Sequence, residues 1–250
     1  MTDNRGIDVN LFYLSVQNAT DLVIVQAALE CSLGAATCST VSNQVISSSF
    51  ANGISPASGL SAVLLNNEPS RFRVYFQAAK GLIWTMVGDD PSEHGWSPHQ
   101  IAGPAADGSS IAASLGDKDG AIMVAFVFND NGMLRAVEYT DSIGGGGGQD
   151  VYGRAGSGFV KTSRFAACFG ATTDTYHIYY VGRTTGDIVG YFRTGAKADW
   201  TPNQDKAWGT ADGGIASVAW DNQVRMLYMS GGKLAMSAQD NTTWSKMDYL

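Results

Sequence analysis

Hydrophobic positions along this chain fall into two kinds of run that take turns. Four runs of small apolar residues recur, Leu60 to Leu65, Ile111 to Gly116, Phe165 to Gly170 and Ile215 to Trp220, and their first residues lie 51, 54 and 50 positions apart. After each comes an aromatic, alternating stretch: Arg73 to Gln77, Val124 to Phe128, His177 to Val181 and Arg225 to Met229. Glycine-bearing turns follow at Gly81, Asn131-Gly132, Gly186 and Gly231-Gly232, where positive φ is cheap, and each leads into a third alternating stretch. Near the end of several units stands a tryptophan, Trp96, Trp200 or Trp244. Periodicity alone does not separate such short apolar runs from buried helix, and the β-branched and aromatic enrichment decides for strand.

A repeat of about 50 residues holding four strands, the first crowded and built from Ala, Ser and Gly, predicts the blade of a β-propeller. Four full units occupy residues 54 to 250. Strands expected at Leu11 to Val16, Leu22 to Leu29 and Thr37 to Ile46 supply most of a fifth. The expectation is therefore an all-β chain, one domain over residues 1–250, folded as a propeller of about five four-stranded blades.

Composition fits a globular chain, with 44% hydrophobic and 16% charged residues and 30 glycines among 250. The net charge is −7 and Lys and Arg nowhere cluster, so nucleic acid is not an expected partner. No stretch reaches the roughly 18 uncharged apolar residues that span a bilayer as a helix, and no membrane partner is expected. Met1 leads straight into polar sequence, while the sequons Asn18-Ala19-Thr20 and Asn241-Thr242-Thr243 and the pair Cys31 and Cys38 point to an oxidising compartment. The expectation is a secreted glycoprotein whose signal peptide has been trimmed, with a Cys31–Cys38 disulfide. Cys168, inside an apolar run, reads as a small buried hydrophobe.

The run from Arg73-Val74-Tyr75-Phe76-Gln77 through Gly81 to Trp96 resembles a blade of the fungal fucose-specific lectins. That resemblance implies a propeller that binds fucose between blades, through an Arg opening the second strand and a Glu twelve residues on, backed by aromatics. Arg73 and Arg225 match the Arg, where the other units place Val124, His177 and Asn10. The Glu position falls on Thr85, Ala136, Gly190, Met236 and, in the first unit, Ile24, so no blade keeps the acceptor. A buried polar group without its partner loses roughly 1–3 kcal/mol.

In kind, the chain is also similar to the secreted, glycosylated hetero-Diels-Alderases of fungal tropolone-sesquiterpenoid pathways. That likeness implies a cofactor-free pericyclase holding a tropolone quinone methide against a terpene such as humulene, by orientation and by hydrogen bonds to the heterodiene oxygen. Arg73 and His99 are the candidate catalytic donors, and Trp84, His94, Trp96, His177 and Arg225 the candidate substrate-binding residues. The same tryptophans also read as blade core, and the histidines as loop or edge residues. His94 and His99 with Asp89, Asp90 and Glu93 match no established metal-ligand spacing, so no metal or other cofactor is expected. The run Gly144 to Gly148 lacks the Lys-Ser/Thr of a phosphate loop and reads as a connection. The partners expected are small apolar substrates or, on the lectin reading, glycans.

Overall fold

The computed structural model describes residues 7–18, 21–31, 38–67, 70–89, 95–116, 121–128, 133–140, 150–152, 164–182, 186–195, 198–203, 208–220, 223–240, 243–245 and 248–249. Every sheet is an antiparallel meander. Blade one holds β1 (Ile7–Asn18), β2 (Asp21–Cys31) and β3 (Cys38–Val45); blade two holds β4 (Leu60–Asn67), β5 (Ser70–Gln77), β6 (Ile83–Asp89) and β7 (Trp96–Ala102). Blade three holds β8 (Ile111–Leu115), β9 (Ala121–Phe128), β10 (Met133–Thr140) and β11 (Asp150–Tyr152), and blade four β12 (Phe165–Gly170), β13 (Thr175–Val181), β14 (Ile188–Thr194) and β15 (Thr201–Asn203). In blade five, β16 (Ile215–Trp220), β17 (Gln223–Ser230) and β18 (Lys233–Asp240) are flanked by β19 (Thr243–Trp244), while β20 (Asp248–Tyr249) also pairs with β18. The chain is thus a five-blade propeller arrangement whose first blade shows three strands among the described residues.

The small-residue runs are the inner strands. β4, β8, β12 and β16 pack side by side, and short side chains such as Ala113, Ser114, Ala167 and Ser217 let their backbones approach. Together they wall a cavity of about 370 Å³. Cys168 lies in that wall beside Ser217, its thiol pushed up to about 12 by burial, which suits a packing residue and not a nucleophile.

Side chains of successive strand residues point to opposite faces, so each aromatic strand feeds two different seams. On β5, Val74 and Phe76 pack toward blade one with Ile24 and Ile46, while Tyr75 packs toward blade three with Val124 and Phe126. Met123 and Ala125 of β9 then meet Tyr176 and Ile178 of blade four, and Tyr179 meets Met226 and Tyr228 of blade five. Four apolar seams join the five blades. Among the described residues none joins blade five to blade one.

The tight turn between β5 and β6 depends on Gly81, which has φ +76° and whose missing Cβ would stand 2.6 Å from the Ala105 carbonyl oxygen. Its own carbonyl accepts the Ala105 N–H, tying the turn to the entry of blade three. The Cys31–Cys38 disulfide is present and closes the β2–β3 hairpin at a directly opposed pair. This cross-link and the propeller fold are compatible with secretion. Among the described residues, no helix is long and apolar enough to cross a membrane.

Candidate functional site

The register places the arginines first. Arg73 on β5 lies opposite Val63 and Val87, and Arg225 on β17 lies opposite Val218 and Ala238, so the two are equivalent. His177 takes the same position in blade four, opposite Cys168 and Phe192. In blade three the equivalent residue is Met123, opposite Ser114, and not Val124, which faces the opposite seam. In blade one, Asn10 as the Arg position makes Phe12 the next residue on that face, and its partner on β2 is Gln26. The acceptor position there is therefore Gln26 and not Ile24. Gln26 is buried, donates to the Asn10 side chain at 2.8 Å and accepts from Gln44 at 2.6 Å.

Arg73 and Arg225 each bind an aspartate of their own blade. Arg73 Nη1 donates to Asp89 Oδ1 at 2.8 Å and to the Phe72 carbonyl at 2.8 Å, and Arg71 shares the same carboxylate oxygen at 3.1 Å. Burial alone would raise the Asp89 carboxyl, but hydrogen bonds and charge from the two arginines outweigh it and hold the group below the usual carboxylate value. Arg225 repeats the pattern, donating to Asp240 Oδ1 at 3.0 Å and to the Val224 carbonyl at 3.1 Å. Asp89 and Asp240 stand opposite the residues two before their arginines, so the clamp is a repeated feature of the fold.

The remaining sequence candidates do not converge. Trp84 pairs across the strands with Phe76 and meets the Phe50 ring at 5.1 Å, and Trp96 packs against Phe12 and Phe72; both look toward blade one. His99 lies opposite Thr85, on the Arg73 face of the same sheet, with Nε2 3.2 Å from Ser97 Oγ. His177 faces blade five, buried and 3.3 Å from the Tyr179 hydroxyl, and burial pushes its pKa down to about 4. A neutral, enclosed imidazole replaces both the pocket donor and the half-exposed edge residue expected from sequence. The side chain of Asn18 and all of His94, Asn241 and Gly144 to Gly148 lie outside what the structure describes. Among the described residues no three metal-ligating side chains gather.

A different group does converge, at the seam between blades three and four. Glu138 of β10 accepts a hydrogen bond from Tyr176 of β13 at 3.0 Å and pairs with the Arg193 guanidinium of β14. Arg193 is 1% exposed and lies over the Tyr176 ring at 4.8 Å and the Trp200 ring at 5.4 Å, whereas Glu138 keeps 17% of its side chain in solvent. Such cation–π contacts are worth roughly 0.5–2 kcal/mol each. Gly116 makes room for the Tyr176 hydroxyl, since a Cβ there would collide with it. Glu138 shares a strand face with Ala136, two residues and so roughly 7 Å along β10 from the expected acceptor position. A fixed spacing from an arginine in the same blade does not lead to this acid. The arginine comes from the next one.

No protein-family model matches the sequence, and no curated protein matches it. Solved structures do. AofleA from Arthrobotrys oligospora superposes with a TM-score of 0.71 at 16% identity, over 97% of this chain and 68% of that one. The Aleuria aurantia lectin, a six-bladed propeller with a fucose recognition mode, gives 0.62 at 17% identity over 98% and 78%. A GH43_1 enzyme from Xanthomonas citri gives 0.51 at 14% identity over 98% and 92%. At these identities the likeness is one of fold. The chain has the β-propeller fold of the fungal fucose-specific lectins, and that architecture carries enzymes as well as lectins.

Proposed function

We propose that the protein is a lectin-type carbohydrate-binding propeller whose working site is the seam between blades three and four. One observation carries this reading: a carboxylate with 17% of its side chain in solvent, Glu138, held by a buried arginine and a tyrosine hydroxyl beside the partly exposed Trp200. Carbohydrate recognition needs an acceptor for ring hydroxyls and an aromatic face for the apolar side of a pyranose. Arg193 and Tyr176 fix the carboxylate's orientation, so little side-chain entropy is lost when a sugar binds. The fucose-lectin neighbours support glycans as the ligand class. With Thr85, Ala136, Gly190, Met236 and Gln26 at the family's acceptor positions, selectivity differs from that of a fucose lectin.

The cycloaddition reading has no comparable observation behind it. It requires Arg73, His99 and Trp84 around one cavity, and Trp84 sits on the opposite sheet face from the other two.

Calorimetric titration with methyl α-L-fucoside, galactose, mannose and N-acetylglucosamine tests the proposal. At least one sugar is expected to bind saturably, with Trp200→Ala and Glu138→Gln each weakening it tenfold or more and Arg225→Ala leaving it unchanged. Glu138→Gln leaves Arg193 short of a counter-charge, so Trp200→Ala, whose ring is part-exposed, is the variant that keeps the fold. Full binding in both variants, or no binding of any sugar by the wild type, overturns the assignment.

A further inference from the structure

Tyr176 carries the hydroxyl that blade four reaches across the seam to Glu138 of blade three. One place before the Arg73 position, blades two, three and five hold Phe72, Ile122 and Val224, and none of these side chains can donate a hydrogen bond. Among these four blades the hydroxyl therefore belongs to one seam and not to the repeat.

Three neighbours fix where it stands. Phe169 of β12 lies directly opposite Tyr176, and the two rings meet at 4.6 Å. The Arg193 guanidinium covers the Tyr176 ring at 4.8 Å. At the far end the hydroxyl comes against Gly116, which follows β8 in blade three. A Cβ on Gly116 would overlap the hydroxyl oxygen and stand 2.8 Å from the ring carbon that bears it, ahead of the Ala121 carbonyl oxygen at 2.9 Å. Gly116 does not have the positive φ that calls for glycine, so its value here lies in the space it leaves. Tyr176 is 1% exposed, and a ring enclosed at native packing density has no vacant volume to swing into. A side chain at position 116 must therefore move the hydroxyl away from Glu138.

We infer, on the reading that Glu138 receives the sugar, that Gly116 and Phe169 are positioning residues of the site, acting through the Tyr176 hydroxyl. Both line the central cavity, so the inner strands of blades three and four hold the carboxylate from the cavity side. A carboxylate released from this hold regains rotamer freedom that a sugar must then remove, and affinity falls.

The test is a double-variant cycle on the whole protein, read in two ways. The first needs no ligand: the side-chain carboxyl carbon-13 resonance of Glu138 is expected to move in Tyr176→Phe, to move in Gly116→Ala, and to move no further when the two are combined. The second is calorimetric affinity for whichever monosaccharide of the panel binds. Each single variant is expected to weaken it about fivefold, and the combination about fivefold and not about 25-fold. Melting temperature separates a merely structural role, because Gly116→Ala meets the Ala121 carbonyl in either background and lowers it in both. Phe169→Leu, which keeps an apolar side chain on β12, should shift the same carboxyl resonance and carries the test if Gly116→Ala does not fold. An unmoved carboxyl resonance in Gly116→Ala or Phe169→Leu, or additive changes in the combined variant, overturns the inference. A wild-type protein that binds no sugar overturns the carbohydrate assignment instead, while the carboxyl shifts still decide whether Gly116 positions Glu138.

Discussion

His177 stands where blades two and five place an arginine, yet its imidazole is enclosed and neutral, with a pKa pushed down to about 4 by burial. The unfolded chain takes up the proton first, near pH 6.5, so the stability that a neutral His177 lends is complete above that value and is lost as pH falls toward 4. A displacement of this size corresponds to roughly 3 kcal/mol. Wild-type stability from chemical denaturation is expected to fall by about that much between pH 6.5 and 4, and His177→Phe to remove this part of the loss. Parallel pH profiles for the two proteins would refute the assignment. Trp84 gives a second residue-scale expectation, because its buried indole N–H has no acceptor among the described residues. Trp84→Phe should cost less than about 1.5 kcal/mol and Trp84→Ala about 3 kcal/mol, measured by urea unfolding. A large loss with Phe would show that the indole nitrogen has a role beyond packing.

At the scale of elements, the β2–β3 hairpin is fastened by Cys31 and Cys38 across a loop of sequence separation 7. Closing so short a loop restricts the unfolded chain by about 2–3 kcal/mol, and the double variant Cys31→Ser/Cys38→Ser should lose that much in denaturation under oxidising conditions. Equal midpoints for variant and wild type would contradict it. Strand existence was legible in the chain because small inner runs, aromatic alternation and glycine turns each have a local physical cause. Register was not, since β4 carries an extra residue between Leu64 and Asn66 that shifts Arg73 by one place relative to β9. Counting residues therefore aligned Val124 where Met123 belongs. In blade one the error was larger, because β1 runs much further past Asn10 before turning than β5 runs past Arg73.

Over the whole molecule, what the sequence could not supply was adjacency between blades. Glu138 and Arg193 lie in different repeats, and only the stacking of blade three on blade four makes them a pair. The arginines legible from the family pattern, Arg73 and Arg225, are instead bound to aspartates of their own blades, where they brace a sheet. The fold likeness to the lectin propellers therefore says nothing by itself about which polar groups stand between these blades. The most direct measurement of the central claim is a titration followed by NMR at the Trp200 indole N–H, with the monosaccharide panel added to wild-type protein. A saturable shift of that resonance, absent in Glu138→Gln, is the result predicted. A Trp200 signal that stays fixed through millimolar sugar, or a shift confined to other tryptophans, would contradict a carbohydrate site at this seam.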